Sequence, residues 1–587
     1  MEIEVNSRNF FTELKRRNVS KVAVAYAVVG WLLIQIATQV FPFLEIPNWA
    51  IRLVILLTAL GFPVALIIAW AFELTPEGIK RTEAADAAGQ RSRGGIWIAV
   101  VVVAAILSLG LFFLGRYTAG NATPRLHEAA TVIPHKSIAV LPLLNESGDP
   151  KDEYFSDGLS EELIAALAQI SGLKVIGRSS SFRFKDRTEE PKTIGKKLGV
   201  SSLLEGTVRK QGDRVRIVAE LINAADGIEV WTRTFDRELK DIFAVQQEIA
   251  RAVAESLRVT LLGSEEKATQ MATDSVEAHN AYLQGHFYSV RRNTEDYRKA
   301  IDYFDQAIQL DPNYALAYAE RSEVWTVIGD LTGQRSTAFP NARSDAEKAV
   351  AIAPSLAEAH AALGWVRAFV EWKFAEGLSE LQRAKELSPA NPTANDLLAR
   401  VIVYTGRMEE AERQARQAVE LDPLSAAAQF TLGRVLFYSG KLDEAYAAGR
   451  KLAELQPSAS SSHRWQVLVA VQRGDGETAL REAKLEPDDR IRPFELALAQ
   501  YIRGDRKAAD AALAELIANS RDGLAYQVAQ VYAVRGEKDK AFEWLQIAFD
   551  HHDGGMPSLL VDPLLRGLRD DPRYKNLVAK VGLPTTS

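Results

Sequence analysis

The chain contains no cysteine in 587 residues. That excludes disulfide frameworks, thiolate zinc sites, iron–sulfur clusters and cysteine nucleophiles together. It does not fix a compartment, because a chain without thiols is indifferent to redox poise. An excess of positive charge is also missing. Lys and Arg number 70 against 76 Asp and Glu, a formal net charge of −6. With a pI of about 5.9, this argues against a generic nucleic-acid binder. Low hydrophobicity is not found either: 47% of residues are hydrophobic and 25% charged, so a mostly disordered chain is excluded. The length leaves room for about three to five domains at roughly 100–200 residues each. The mean hydropathy of −0.09 conceals a very uneven chain.

What is present begins with three apolar runs. Residues 21–40 carry one charge, Lys21, at the edge; residues 53–72 and 96–115 carry none. Twenty helical residues at about 1.5 Å each cross a ~30 Å hydrocarbon core, so residues 1–120 read as a membrane anchor. Trp31, Trp49, Trp70 and Trp97 sit near run ends or between runs, as interfacial aromatics do. Pro63 is expected to kink the second run. The first run starts after about twenty polar residues and two more follow, which speaks against a cleaved signal peptide. Lys and Arg cluster before the first run (Arg8, Lys15, Arg16, Arg17) and between the second and third (Lys80, Arg81, Arg91, Arg93). The positive-inside rule then places the N-terminus inside, on the cytoplasmic side, and everything after about residue 116 outside. The strings FFTELKRRNVSKVAVAYAVVGWLLIQ, PNW and GFPVALIIAWAFELTPEGIKR, within residues 10–81, resemble the membrane module of a family of bacterial tetratricopeptide proteins. Residues 121–135 read as a linker. Asn121-Ala122-Thr123 matches a glycosylation acceptor, which the bacterial resemblance makes idle.

Residues 136–262 read as a small α/β domain. KSIAVLPL alternates and ends at a proline, as a strand does. In SDGLSEELIAALAQI, Ser160 or Asp157 is expected to cap a helix with Glu161 and Glu162 in its first turn. LKVIGR (173–178) is a second strand. A helix through Ile194 and Leu198 ends at Gly199. Strands at 202–210, 214–223 and 228–235 follow, with turns at Gly212-Asp213 and Asp226-Gly227. A last helix covers about 241–259. The strings FSDGLSEELIAAL, GLKVIGRSSSFRFK, LGVSSLLEGTVRK and DIFAVQQEIA resemble the TolB amino-terminal type of domain, also called FlgO-like. That resemblance implies envelope association and no known catalytic activity. Gly195-Lys196-Lys197 does not satisfy a phosphate loop. Asp157, Glu161 and Glu162 are explained by capping and first-turn roles. Arg178-Ser179-Ser180-Ser181 reads as a loop rather than a ligand-binding edge.

Residues 277–550 repeat. Gly406, Gly440, Gly474, Gly504 and Gly536 each precede an alanine by five residues, at spacings of 34, 34, 30 and 32. Prolines at 312, 354, 389, 423, 457 and 487 are spaced 42, 35, 34, 34 and 30. A period near 34 is that of the tetratricopeptide repeat, two antiparallel helices per unit. The glycine is expected at positive φ where the first helix ends, and the proline stops the second. About eight units are expected, the second elongated and the sixth and seventh degenerate. Residues 551–587 hold VDPLLRGLRDDPRYKNLVAKVGLP, which resembles the terminal segment of the same bacterial family and is expected to cap the exposed end of the stack.

The fold class expected is therefore multidomain: three transmembrane helices, a small α/β domain and an all-α tetratricopeptide solenoid. A solenoid offers a curved groove lined by the first helix of each unit. That geometry points Asp396, Arg400, Tyr404, Phe430, Arg434, Tyr438, Tyr526 and Gln530 into it as candidate protein-binding residues. Arg400 and Arg434 recur at one repeat position, a carboxylate clamp or ordinary solvated arginines. His551-His552-Asp553 reads as a solvated loop, having no third well-spaced metal ligand. No catalytic residue, cofactor or metal is expected. Partners are proteins or peptides and the lipid bilayer, not nucleic acid. The function expected is a periplasmic interaction scaffold or adaptor. The alternative is a sensor or regulatory component: relatives join the same outer modules to a nucleotide cyclase or a winged-helix DNA-binding domain. With about nineteen residues before the first run, neither output domain is expected here.

Overall fold

The structure, a computed structural model, describes residues 19–40, 54, 56–58, 61–62, 72–75, 78–81, 134–257 except 171 and 187, 273, and 275–584 except 292 and 520–522. It divides into two compact units, Met1–Ala130 and Thr131–Ser587.

In the first unit Val19–Val40 is a helix whose sequence includes Lys21, Gln35 and Gln39. It packs on the next segment where the Tyr26 hydroxyl donates to the Thr58 carbonyl at 3.0 Å. A Cβ on Gly30 would lie 2.6 Å from the Thr58 methyl, so the close approach depends on that glycine. Strands β1 (Phe72–Thr75) and β2 (Gly78–Arg81) form an antiparallel hairpin. Most of the second apolar run, all of the third, the linker before residue 134 and Asn121 lie outside the described residues. Among the described residues no helix is long and apolar enough to cross a membrane.

The second unit opens with the α/β domain. Its sheet runs in the order β5-β3-β6-β7-β8, where β3 is Ser137–Val140, β5 Lys174–Val175, β6 Ser202–Gln211, β7 Arg214–Asn223 and β8 Glu229–Glu238. β3 is parallel to β5 and β6, whereas β6, β7 and β8 form an antiparallel meander. Pro142, which cannot donate to the ladder, interrupts the first strand. Pairing to β6 resumes at β4 (Leu144–Asn145). Leu143, between the two, donates its N–H to the Ser160 hydroxyl at 2.9 Å.

Two sequence expectations fail here. The helix does not begin near Asp157 but spans Glu153–Ala168, so Asp157, Ser160, Glu161 and Glu162 lie within it. Arg178–Ser181 is a helical turn and not a loop. Contacts with distant parts of the chain, described below, hold both arrangements.

Among the described residues eight antiparallel helix pairs follow, from Val276–Ser289 with Thr294–Leu310 to Ala525–Arg535 with Lys538–Asp550. Gly406, Gly440, Gly474, Gly504 and Gly536 take φ values of 80°, 75°, 72°, 93° and 79°, the left-handed turn the spacing predicts. The second helices end at Leu310, Ile352, Leu387, Leu421 and Leu455, two residues before their prolines. The residue preceding a proline is pushed out of the helical region, which fixes these ends. The second pair is long, Ala315–Thr332 with Arg335–Ile352, and the sixth short, Arg464–Gln472 with Gly476–Ala483.

The α/β domain and the repeats share one apolar core. Leu159, Leu163 and Val245 belong to the same buried cluster as Leu283, Phe304 and Ala342. Gly158 marks a close approach: a Cβ there would sit 2.5 Å from Leu283, well inside van der Waals contact distance. Beyond that contact the α/β domain lies along the row of turns between repeats. Gln169 shares a small cavity with Ser355, Leu356, Leu387 and Ser388. Gly177 N–H donates to the Leu421 carbonyl at 2.7 Å. Asp422 accepts from the Ser180 N–H at 2.7 Å and from its hydroxyl, while Leu424 N–H donates back to that hydroxyl at 2.7 Å. Arg183 donates to the Leu455 carbonyl. The turns that the repeat prolines create are therefore the docking edge for the domain that precedes the repeats.

Candidate functional site

The C-terminal segment does more than cap the last pair. It also turns back toward the early repeats. The third pair's first helix, Ala357–Trp365, continues as a π-helical turn, Val366–Val370, and Trp372 follows at φ 55°. A non-glycine residue in that region needs support from its surroundings. Trp372 has it, stacking on the His552 ring at 3.7 Å and touching Phe549 at 5.7 Å. His551-His552-Asp553 is therefore not a solvated loop. Asp553 is buried and accepts the N–H groups of Gly555 (2.9 Å) and Tyr526 (3.3 Å), and burial pushes its carboxyl up to about 6.

Asp562 fixes the returning segment. It is fully buried and caps the 3-10 helix Pro563–Leu568 through Leu564 N–H at 2.9 Å. It also accepts from the Tyr526 hydroxyl at 3.0 Å and Gln530 Nε2 at 2.6 Å.

The repeats and this segment together line a partly open cavity of about 430 Å³. Of the eight candidate groove residues, Arg400, Tyr404, Arg434, Tyr438, Tyr526 and Gln530 line it. Tyr526 and Gln530 already hold Asp562. Arg434 donates to the Tyr404 hydroxyl at 2.7 Å, and the Arg400 guanidinium lies 4.2 Å over Trp365. Asp396 is buried and lies outside the lining. Phe430 packs on Trp465, ring centres 5.1 Å apart, and is outside it too. The lining also contains Arg335, Arg464 and Arg490, which the glycine and proline periodicity did not single out. They lie outside the repeat position shared by Arg400 and Arg434: Arg464 is at the position of Asp396 and Phe430, one turn earlier.

A second cluster, missed by sequence reasoning, sits where the α/β domain meets the first repeats. His286 bridges two carboxylates, Nδ1 at 2.6 Å from Glu320 and Nε2 on Glu161. Arg178 donates to Glu161 from the other side, and the Tyr282 hydroxyl donates to Glu320 at 2.7 Å. Burial works against a charged His286, yet the two carboxylates hold its pKa well above the ordinary value; Glu161 is held below its own by His286 and Arg178. Glu162 feels the His286 charge only through space, without a hydrogen bond to it. Burial pushes it up to about 8 although Gln246 donates to it. His279, 3.5 Å from Glu162, is pushed down to about 3 by burial.

The raised Glu162 pKa has a signed consequence. The unfolded carboxyl releases its proton near the ordinary value of 4.5, while the folded one keeps it to about 8. Between those values the unfolded state binds fewer protons, so this group's contribution to stability is lost as pH rises. Glu162→Gln removes the titration and keeps the shape. The variant is expected to gain on the wild type by about 1.4 kcal/mol per pH unit between roughly pH 4.5 and 8. Urea unfolding of both proteins at pH 5, 6, 7 and 8 measures this, and a constant difference across the series would refute the assignment.

Residues 134–252 match the family model of the HilA/YgeH-like transcriptional regulator, second domain, and residues 282–314 that of a tetratricopeptide repeat. The TolB amino-terminal assignment is carried by its resemblance alone. The chain is 37% identical over 206 residues to a curated relative, putative adenylate cyclase 3 of Rhizobium meliloti (strain 1021). The match covers 35% of this chain and 35% of the relative, so the chain spans about a third of that relative's length. Similar solved structures include PilW, a type IV pilus biogenesis factor, at 18% identity over 43% of this chain and 97% of that one, TM-score 0.28. YrrB, a tetratricopeptide protein with an unusual peptide-binding site, shares 21% over 36% and 96%, TM-score 0.24. At these values the likeness goes no further than what the helix pairs themselves show.

Proposed function

We propose that this chain is a regulatory component of a signalling system, whose tetratricopeptide array takes a protein partner and whose output is carried by that partner. The observation that carries this reading is the matched regulator domain at 134–252, interlocked with repeat turns through Ser180 and Asp422. The similarity to a putative adenylate cyclase over 206 residues supports it from a second direction. The same reading assigns the chain no catalysis of its own. A pure scaffold in the envelope shares the repeats but leaves the regulator match without a role.

The test is deletion and complementation in the native host. The regulatory reading expects deletion to change a defined set of transcripts or the cyclic nucleotide level, restored by the full chain and not by one carrying Ser180→Ala and Asp422→Ala. If envelope assembly changes while transcripts and cyclic nucleotides do not, the scaffold reading replaces it.

Anchoring of residues 1–120 in the inner membrane, with the rest periplasmic, is part of the same proposal. It is supported by the uncharged runs, the Lys and Arg asymmetry, and the exposure of Val29, Leu33, Leu56 and Leu57, each more than half exposed. Alkaline phosphatase and a cytoplasmic fluorescent reporter, each fused after residue 130 and after residue 587, separate the cases. Phosphatase activity without fluorescence is expected, and the reverse would place the repeats in the cytoplasm.

A further inference from the structure

The cavity among the repeats has a chemistry that neither scaffolding nor regulation explains. Its lining places Arg400, Arg434 and Arg464 around Tyr404, Tyr438 and Trp465. The neighbouring cations Arg335 and Arg490 are neutralised, by Asp330 at 2.6 Å and Asp488 at 3.0 Å. Arg434 and Arg464 are not. Among the described residues no carboxylate lies within ion-pair distance of either. The polar partner of Arg434 is the uncharged Tyr404 hydroxyl, and Arg464 Nε is buried without a hydrogen-bond partner. Glu486 and Glu495 act on Arg464 through space but do not pair with it, and Glu486 already accepts the N–H groups of Ser461 and His463. Glu495 is fully buried, both of its oxygens lack hydrogen-bond partners, and burial pushes its pKa well above the ordinary carboxylate value. Desolvation likewise pushes the Arg464 pKa down. An arginine stays charged in proteins all the same, so a positive charge is held at the wall of a partly open cavity.

Size narrows the occupant. A volume of about 430 Å³ falls in the range of small-molecule pockets, about 300–1,000 Å³. An α-helix is about 10–12 Å across with its side chains. The returning C-terminal segment borders this space, with Gly554, Gly555 and Ser558 in the lining, and so takes part of the room that a bound helix would need.

We propose that this cavity binds a small organic anion carrying two or more carboxylate or phosphate groups, with Arg434 and Arg464 on the charges and Tyr404, Tyr438 and Trp465 along its body. Arginine's planar fork suits both groups bidentately. The inference goes beyond the regulatory reading and stands whether the chain is a regulator or a scaffold.

The test uses the full chain, titrated calorimetrically with citrate, with inorganic pyrophosphate, and with a seven-residue peptide ending in a free carboxylate, against chloride at equal ionic strength. Saturable one-to-one binding of citrate or pyrophosphate is expected, and which of the two binds distinguishes the carboxylate source from the phosphate source. Affinity is expected to fall at least tenfold in Arg434→Gln and in Arg464→Gln and to be unchanged in Arg566→Gln, an exposed control. Binding of the peptide alone, of neither anion, or of an anion with undiminished affinity in the arginine variants would overturn the proposal. A second readout needs no ligand. Arg464→Met removes a desolvated charge that no carboxylate of the described residues holds in an ion pair, so its Tm without ligand is expected to equal or exceed that of the wild type. A lower Tm would make the arginine structural and overturn the assignment.

Discussion

His286→Ala is expected to destabilise the second unit by about 3–5 kcal/mol, the cost of breaking a buried ion pair by removing one partner. The imidazolium is the shared cation of Glu161 and Glu320, whose side chains are only 15% and 18% exposed. Without it Glu161 keeps Arg178 and Glu320 keeps the Tyr282 hydroxyl, and neither replaces a charge placed between them. Because Glu161 belongs to the α/β domain while His286 and Glu320 belong to the first two repeat pairs, the loss loosens the junction and not one element. Hydrogen exchange is expected to quicken together in Glu153–Ala168 and Val276–Ser289. Adding Glu320→Gln to His286→Ala is expected to restore part of the loss, since the carboxylate left with only the Tyr282 hydroxyl is then gone. A urea-derived change below about 1 kcal/mol would mean that solvent already screens the cluster.

The second large effect is expected at Asp562. Its alanine variant loses a helix cap, about 1 kcal/mol, and leaves the Tyr526 hydroxyl and one Gln530 donor buried without an acceptor, about 1–3 kcal/mol for each. The expected result is local release more than global unfolding. Residues 551–583 come away from Trp372 and from the cavity, while the earlier repeats keep their own cores. Trypsin is then expected to cut after Arg566 and Lys575 at least tenfold faster, with the melting of the α/β domain little changed. Unchanged cleavage would show that Trp372, Phe549 and the buried Leu564, Leu565 and Leu568 hold the segment by packing alone.

The two variants also separate two kinds of legibility. Gly406 through Gly536 and the prolines from 312 to 457 were readable because each enforces a backbone state by itself. A left-handed φ selects glycine, and a proline pushes its predecessor out of the helix. Strand periodicity in 202–223 was readable for the same local reason. The helix start at Glu153 was not, because the capping signals at Asp157 and Ser160 have other tasks. Asp157 pairs with Lys185 at 2.6 Å, and Ser160 accepts the N–H that Pro142 leaves beside a broken strand. Of the groove residues, Arg400, Tyr404, Arg434 and Tyr438 could be placed from the repeat position, while Asp396 and Phe430 could not, since neighbouring pairs bury or cover them.

The sequence alone determined the period, the helix pairs, the mixed α/β pattern before them and the apolar runs near the N-terminus. All of these rest on interactions within a few residues or on composition. Only the tertiary structure decided that the α/β domain lies against the repeat turns, that the C-terminal segment returns to Trp372, and that Arg434 and Arg464 line one cavity with no carboxylate of the described residues at ion-pair distance. Those contacts join residues far apart in the chain, as Ser180 joins Asp422. No local periodicity carries them, because they depend on which turns the superhelix brings to the same side.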